Sequence, residues 1–163
     1  MKNNKEIPYF ESKQSRLLPD LPIVERDNVT VVIYDPSTDT VLCLDWEKFD
    51  WHTFIIGGIE KDEDPVAAAR REVFEETGYK NVELVAEIGK TRSGYYAAHK
   101  KENRISNDTN FLFRLINNEK EVIEESETVN HIFKWVPKNE VGSFVNLDSQ
   151  IYIWEKALEA LNK

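Results

Sequence analysis

Residues 57–79 read GGIEKDEDPVAAARREVFEETGY, and the helix they encode fixes how the rest of the chain is read. Asp64-Pro65 places a carboxylate at an N-cap and a proline at the first helical position, where its missing N–H is no loss. Ala67, Ala68 and Ala69 are strong helix formers, and Gly78 stands where a glycine ends a helix in the left-handed conformation. The result is a helix of about 13 residues, a common length in globular proteins. At about 100° per residue, Val66, Ala69, Val73 and Thr77 share one stripe with Phe74 at its edge, so that face is buried. Glu72, Glu75 and Glu76 fall on the adjoining arc, spread over about 100°.

Three acids there work against the helix. Like charges at i,i+3 and i,i+4 each cost about 0.2–0.5 kcal/mol. Carboxylates in the last turn also face the negative end of the macrodipole, for roughly another 0.3–1 kcal/mol each. A solvated acidic face is the ordinary explanation of a charge run. It accounts neither for acids at the unfavourable end nor for the Gly57-Gly58 pair before them. A bound cation accounts for both. Hard oxygen donors, without Cys or a paired His, select Mg²⁺ or Mn²⁺ over zinc. Gly57 and Gly58 end the strand candidate Trp51–Ile56 and, lacking Cβ, let backbone groups approach a metal or phosphate; a tight strand-to-loop turn would need them as well.

The spacing is Gly57, five residues, Glu63, seven residues, Arg71-Glu72-Val73, any residue, Glu75-Glu76, any residue, Gly78-Tyr79. Every fixed position of the Nudix box is filled, and average residue usage gives such a match a chance below about 10⁻⁷ per starting point. The chain therefore resembles Nudix hydrolases, most of which cleave a diphosphate attached to a nucleoside. The resemblance implies an α/β fold, the Nudix-type α/β/α sandwich with a mixed sheet, and a Mg²⁺- or Mn²⁺-dependent pyrophosphohydrolase acting on a small nucleotide. Position by position, it implies that Glu72, Glu75 and Glu76 hold the cations together with the Gly57 carbonyl. It also implies that Arg71 orients those acids, and that Glu63 pairs with Arg71 and pins the loop to the helix.

Two positions depart from the commonest pattern. Ile55-Ile56-Gly57-Gly58 makes the motif glycine the first of its pair, a placement shared with relatives that act on dinucleoside polyphosphates and on capped or triphosphorylated RNA ends. Asp62 stands where a glycine usually precedes the loop acid, and Asp tolerates a left-handed conformation better than most residues.

A chain of 163 residues is near the modal size of one domain, and 40% apolar residues suffice for a single core. Net charge −9 argues against broad binding to extended nucleic acid or an anionic membrane, leaving a polyanionic substrate to local metal charge and a few basic side chains. One cysteine, Cys43, excludes an internal disulfide and reads as a buried strand thiol within Val41–Leu44. Residues 1–6 carry no apolar signal region and no apolar run approaches the roughly 18 residues of a membrane span, so a cytoplasmic protein is expected.

Residues 1–24 read as an N-terminal arm broken by Pro8, Pro19 and Pro22, the segment through which a homodimer would form, and residues 25–163 as the Nudix-like domain. Val29–Tyr34 and Val41–Trp46 flank a turn at Pro36–Asp39, and Val82–Gly89, Asn110–Ile116 and His131–Val136 are further strands. Pro137 opens a helical turn, and Asp148 caps a last helix reaching Leu161.

Substrate choice must come from outside the box. The insert Arg92–Arg104 combines aromatics with cations: Tyr95 can stack on a base and Arg104 can hold a phosphate, or the tyrosines can pack a strand end while the cations are solvated. Trp51 can line a base pocket or belong to the core. His52, His99 and His131 share no metal-site spacing and read as structural. Among Glu124, Glu125 and Glu127, Glu127 is the first choice for the further catalytic acid that relatives draw from a loop after the box.

A second resemblance covers Arg26–Trp46, Tyr95–Arg104 and Trp135-Val136-Pro137, which are similar to Nudix modules embedded in some bacterial leucyl-tRNA synthetases. The rival to a hydrolase is a non-catalytic nucleotide-binding or synthetase-associated module of the same fold. Its usual mark is the loss of box acids, and here all three are present.

Overall fold

The apolar run at Val29–Tyr34 is the centre of β2 (Ile23–Asp35) in the computed structural model, which describes residues 6–123 and 131–163. β2 pairs in parallel with β7 (Glu102–Leu115) and antiparallel with β5 (Ile55–Gly58). β7 runs antiparallel to β6 (Val82–Ala97), which takes β1 (Tyr9–Glu11) in parallel at the sheet edge. After the turn, β3 (Thr40–Trp46) leaves β2 and joins an antiparallel layer with β4 (Trp51–Thr53) and β8 (His131–Pro137). The helices are α1 (Pro65–Thr77), α2 (Val141–Phe144) after a 3-10 turn at Lys138–Glu140, and α3 (Asp148–Leu161).

Strand alternation builds two cores. Val29, Val31 and Ile33 face Ala68, Ala69 and Val73 of α1. Val32 and Leu112 face the other way, towards Ile153, Trp154 and Ala157 of α3. All are at most 3% exposed, and burying each larger aliphatic gives about 1.5–3 kcal/mol. The mixed sheet between two helical layers is the α/β/α sandwich expected. Cys43 is buried in the α3-side core, and burial pushes its thiol up to about 12. Among the described residues, no helix is long and apolar enough to cross a membrane.

Four local readings are corrected. The run Trp51–Ile56 is two strands, because Phe54 donates its N–H to Gln150 Oε1 at 2.9 Å instead of to a ladder; β4 then serves one layer and β5 the other. Gly57 and Gly58 consequently lie inside β5, paired with Val29 and Asn28. Leu147, not Asp148, is the N-cap of α3, and the Asp148 carboxylate instead pairs with Lys13 at 3.1 Å. The supposed insert Arg92–Arg104 is the outer end of the β6–β7 ribbon, whose cross-strand hydrogen bonds carry polar residues far beyond the apolar runs that marked these strands. The arm is also stitched into the sheet: beyond β1, Ser15 Oγ donates to the Tyr96 carbonyl at 2.6 Å and Leu18 N–H to Asn103 Oδ1 at 2.9 Å.

Candidate active site

α1 forms where its sequence signals place it. Asp64 accepts from the N–H groups of Val66 at 3.0 Å and Ala67 at 3.3 Å, and Gly78 ends the helix at φ 79°. A Cβ at Gly78 would run into the Glu121 carbonyl, so packing and backbone conformation both require glycine. Asp62 adopts φ 62°, so the loop keeps the left-handed turn without its glycine.

Arg71 organises the site. Its Nε and Nη2 donate to the two oxygens of Glu63, both at 2.9 Å, a bidentate pair. Nη2 also donates to the Gly58 carbonyl at 2.8 Å, while Nη1 reaches Glu72 Oε1 at 3.0 Å and Glu75 Oε2 at 3.1 Å. One guanidinium thus ties β5, the loop and two turns of α1 together. The Arg71 pair, with a hydrogen bond from the Glu60 N–H, holds the Glu63 carboxyl down at about 2.

Glu72 is pressed against Gly57, where a Cβ would overlap its carboxyl group. Its side chain is 13% exposed, and burial raises its carboxyl despite the Arg71 contact. Glu76 is held elsewhere: His131 Nε2 lies 3.1 Å from its Oε2, and among the described residues His131 Nδ1 is buried without a partner.

Among the described residues, no three acidic or histidine side chains converge on one point as they stand, because Arg71 and His131 draw Glu75 and Glu76 apart. The donor set nonetheless fits a hard divalent cation. Three carboxylates of one helix turn, one of them raised by burial, and a strand with no Cβ in the way supply hard oxygen donors and excess negative charge. Glu75, 55% exposed, has the freedom to turn inwards.

A cleft of about 440 Å³ lies along β5, lined by Ile56. Phe10, Trp46, Trp51 and Tyr95 supply aromatic walls, and Asn28, Ser93, Ser106 and Asp108 a polar floor. Two residues of its lining stand next to the cluster. Ile56, which lines it, precedes Gly57, and Trp46 meets the His131 ring edge-on at 4.7 Å.

Residues 24–155 match the NUDIX domain family. The chain belongs to the Nudix hydrolase family. The RNA pyrophosphohydrolase of Bartonella henselae is 55% identical over 31 residues, a match spanning 19% of this chain and 18% of that protein. The E. coli dihydroneopterin triphosphate pyrophosphohydrolase superposes with a TM-score of 0.62 at 19% identity, covering 86% of this chain and 99% of that one. The C. elegans Ap4A hydrolase superposes with a TM-score of 0.61 at 17% identity, covering 84% and 98%. At these identities the structural likenesses establish the fold alone. Nudix hydrolases generally use a divalent metal.

Within this Nudix framework the expected site residues divide. Gly57, Glu63, Arg71, Glu72 and Glu75 are brought together, and Glu76 stands beside His131. Trp51 and Tyr95 share the cleft, meeting edge-on at 6.4 Å, and Trp51 stacks on Phe49 at 4.8 Å. Arg104 is not brought in; its Nε donates to Glu102 at 3.0 Å, outside the cleft lining. Glu127 lies outside the described residues. Sequence reasoning missed His131, taken as structural, and the floor residues Asn28, Ser93, Ser106 and Asp108. Their only signal was polar residues recurring at period two along strands, which is legible only once the register is known.

Proposed function

We propose that the chain is a Mg²⁺- or Mn²⁺-dependent pyrophosphohydrolase that cleaves a phosphoanhydride in a small nucleoside diphosphate derivative. The observation that carries this reading is the Arg71-centred acid cluster, packed on β5, the strand whose Ile56 lines an aromatic cleft. Glu72, Glu75 and Glu76, with the Gly57 carbonyl, would hold the cation. When bound, a divalent cation neutralises phosphate oxygens and polarises the phosphorus for in-line attack. Arg71 keeps Glu72 and Glu75 in register, and Glu63 keeps Arg71 in place. Tyr95 stacks on the base and Trp51, edge-on to Tyr95, borders it, which fixes the distance from ring to phosphates.

The volume of the cleft, about 440 Å³, and the net charge of −9 favour a small nucleotide over an extended RNA chain. The test is a panel of nucleoside triphosphates, dinucleoside polyphosphates, nucleoside diphosphate sugars and a 5′-triphosphorylated oligoribonucleotide, assayed with Mg²⁺, Mn²⁺ or EDTA. Metal-dependent release of a mononucleotide from at least one small substrate is expected. No cleavage of any compound with either metal rejects a hydrolase in favour of a binding module.

A further inference from the structure

The floor of the cleft has a direction. Asn28 and Asp108 face each other in the β2–β7 register, and Ser93 and Ser106 in the β6–β7 register. Asn28 Nδ2 donates to Ser106 Oγ, which donates to Asp108 Oδ1 at 2.7 Å, and Ser93 Oγ reaches Asp108 Oδ2 at 3.5 Å. Every donor in this chain of bonds points towards Asp108. Outside these bonds stand two acceptors, Asn28 Oδ1 and the weakly bonded Asp108 Oδ2, against one donor, the second N–H of the Asn28 amide.

Such a floor does not suit phosphate. Lys13 is the one cation in the described lining, and Asp148 holds it at 3.1 Å. Asp108 is 6% exposed with no cationic partner among the described residues, and burial raises its carboxyl above the ordinary 3.8. A carboxyl in that position is costly to keep, and one long hydroxyl contact does not satisfy Oδ2. The aromatic lining of Phe10, Trp46, Trp51 and Tyr95 suits a planar ring, whose polar edge then falls to the polar lining residues. An acceptor-rich floor selects an edge rich in N–H donors.

We propose that Asp108 is the specificity-determining residue of this cleft and that, with Asn28, it hydrogen-bonds the guanine edge, whose ring N1–H and 2-amino group are adjacent donors. Adenine offers one amino donor beside a ring acceptor, and hypoxanthine lacks the second donor. The inference rests on the nucleotide reading above.

Trp46 and Trp51 line the cleft, so tryptophan fluorescence can follow titration of the full chain with GMP, IMP, AMP and UMP in EDTA, which reads binding without hydrolysis. GMP should bind at least about tenfold more tightly than IMP or AMP, the scale of one bidentate base contact. Asp108→Asn should weaken GMP about tenfold and leave AMP within about threefold. Asn28→Ala removes the Oδ1 acceptor and the amide bonded to Ser106 while keeping the carboxyl, and it should show the same selective loss if Asp108→Asn does not fold. Equal affinity of wild type for GMP and AMP, an unchanged preference in the folded variants, or binding of none of the four overturns the proposal. A GMP preference alongside no hydrolysis of the panel would leave the base assignment standing and reject the proposed activity.

Discussion

The acid cluster and the cleft floor meet at β5, yet they are encoded in opposite ways. Arg71, Glu63, Glu72, Glu75 and Glu76 lie within one loop and one helix, so local spacing sets their geometry except at Glu76, which His131 holds from β8. Asn28, Ser93, Ser106 and Asp108 come from three strands, and they meet only because β2 runs parallel to β7 in one register and β6 antiparallel to β7 in another. The first region carries the spaced glycines, acids and arginine of residues 57–79. The second is free to differ while the box stays the same, which is how one fold can carry one reaction to many substrates. Losses in the box should therefore reach turnover, and losses in the cleft should reach affinity and choice.

The largest effect that would break this division is expected at Glu76. Glu76→Gln keeps the shape and removes the charge, and it should lower kcat by at least about 10²-fold with the melting temperature little changed. Steady-state kinetics on the best substrate of the panel checks it. A kcat within a few-fold of wild type would take Glu76 out of the metal site and leave it as the partner of His131.

What the sequence made legible follows the same division. The Asp64 cap, the Gly78 terminus and the α1 stripe are local, and they fold as read. The break at Phe54 was not legible, because the partner that takes its N–H is Gln150, 96 residues away. The role of His131 was hidden for the same reason: its contact with Glu76 bridges 55 residues. Arg104 shows the converse case. A dense run of cations suggested phosphate binding, but the ribbon places Glu102 on the same face two residues back, and the guanidinium turns to it.

A smaller effect tests whether the loop is locked as firmly as its contacts indicate. Arg71 holds the Glu63 carboxyl at about 2, down from the ordinary 4.5. A lowered carboxyl stabilises the fold fully above 4.5, and that contribution is lost as the pH falls from 4.5 towards 2. Wild type should therefore melt above Glu63→Gln at neutral pH, with the two curves converging at the acid end of that window. Melting temperature against pH for both proteins is the measurement. Parallel curves would mean that Arg71 finds equivalent partners in Glu72 and Glu75, and that Glu63 does not pin the loop.

The smallest effect sharpens the boundary of the cleft, through two residues that face each other across one ladder. Tyr95 and Arg104 are register partners on β6 and β7, but only Tyr95 lines the cleft. Tyr95→Ala should weaken nucleotide binding by about 1–3 kcal/mol, roughly 5- to 150-fold in KM, with kcat much less affected. Arg104→Ala removes a cation whose pairing with Glu102 is already made, so KM should stay within about threefold of wild type, as expected for a side chain that meets no phosphate. Ionic strength separates two kinds of residual change. Loss of a direct phosphate contact would flatten the salt dependence of KM, whereas disturbance of Tyr95 through its neighbour would leave that slope unchanged. A large rise in KM with a flattened slope would place Arg104 on the substrate and extend the cleft past the end of the ribbon.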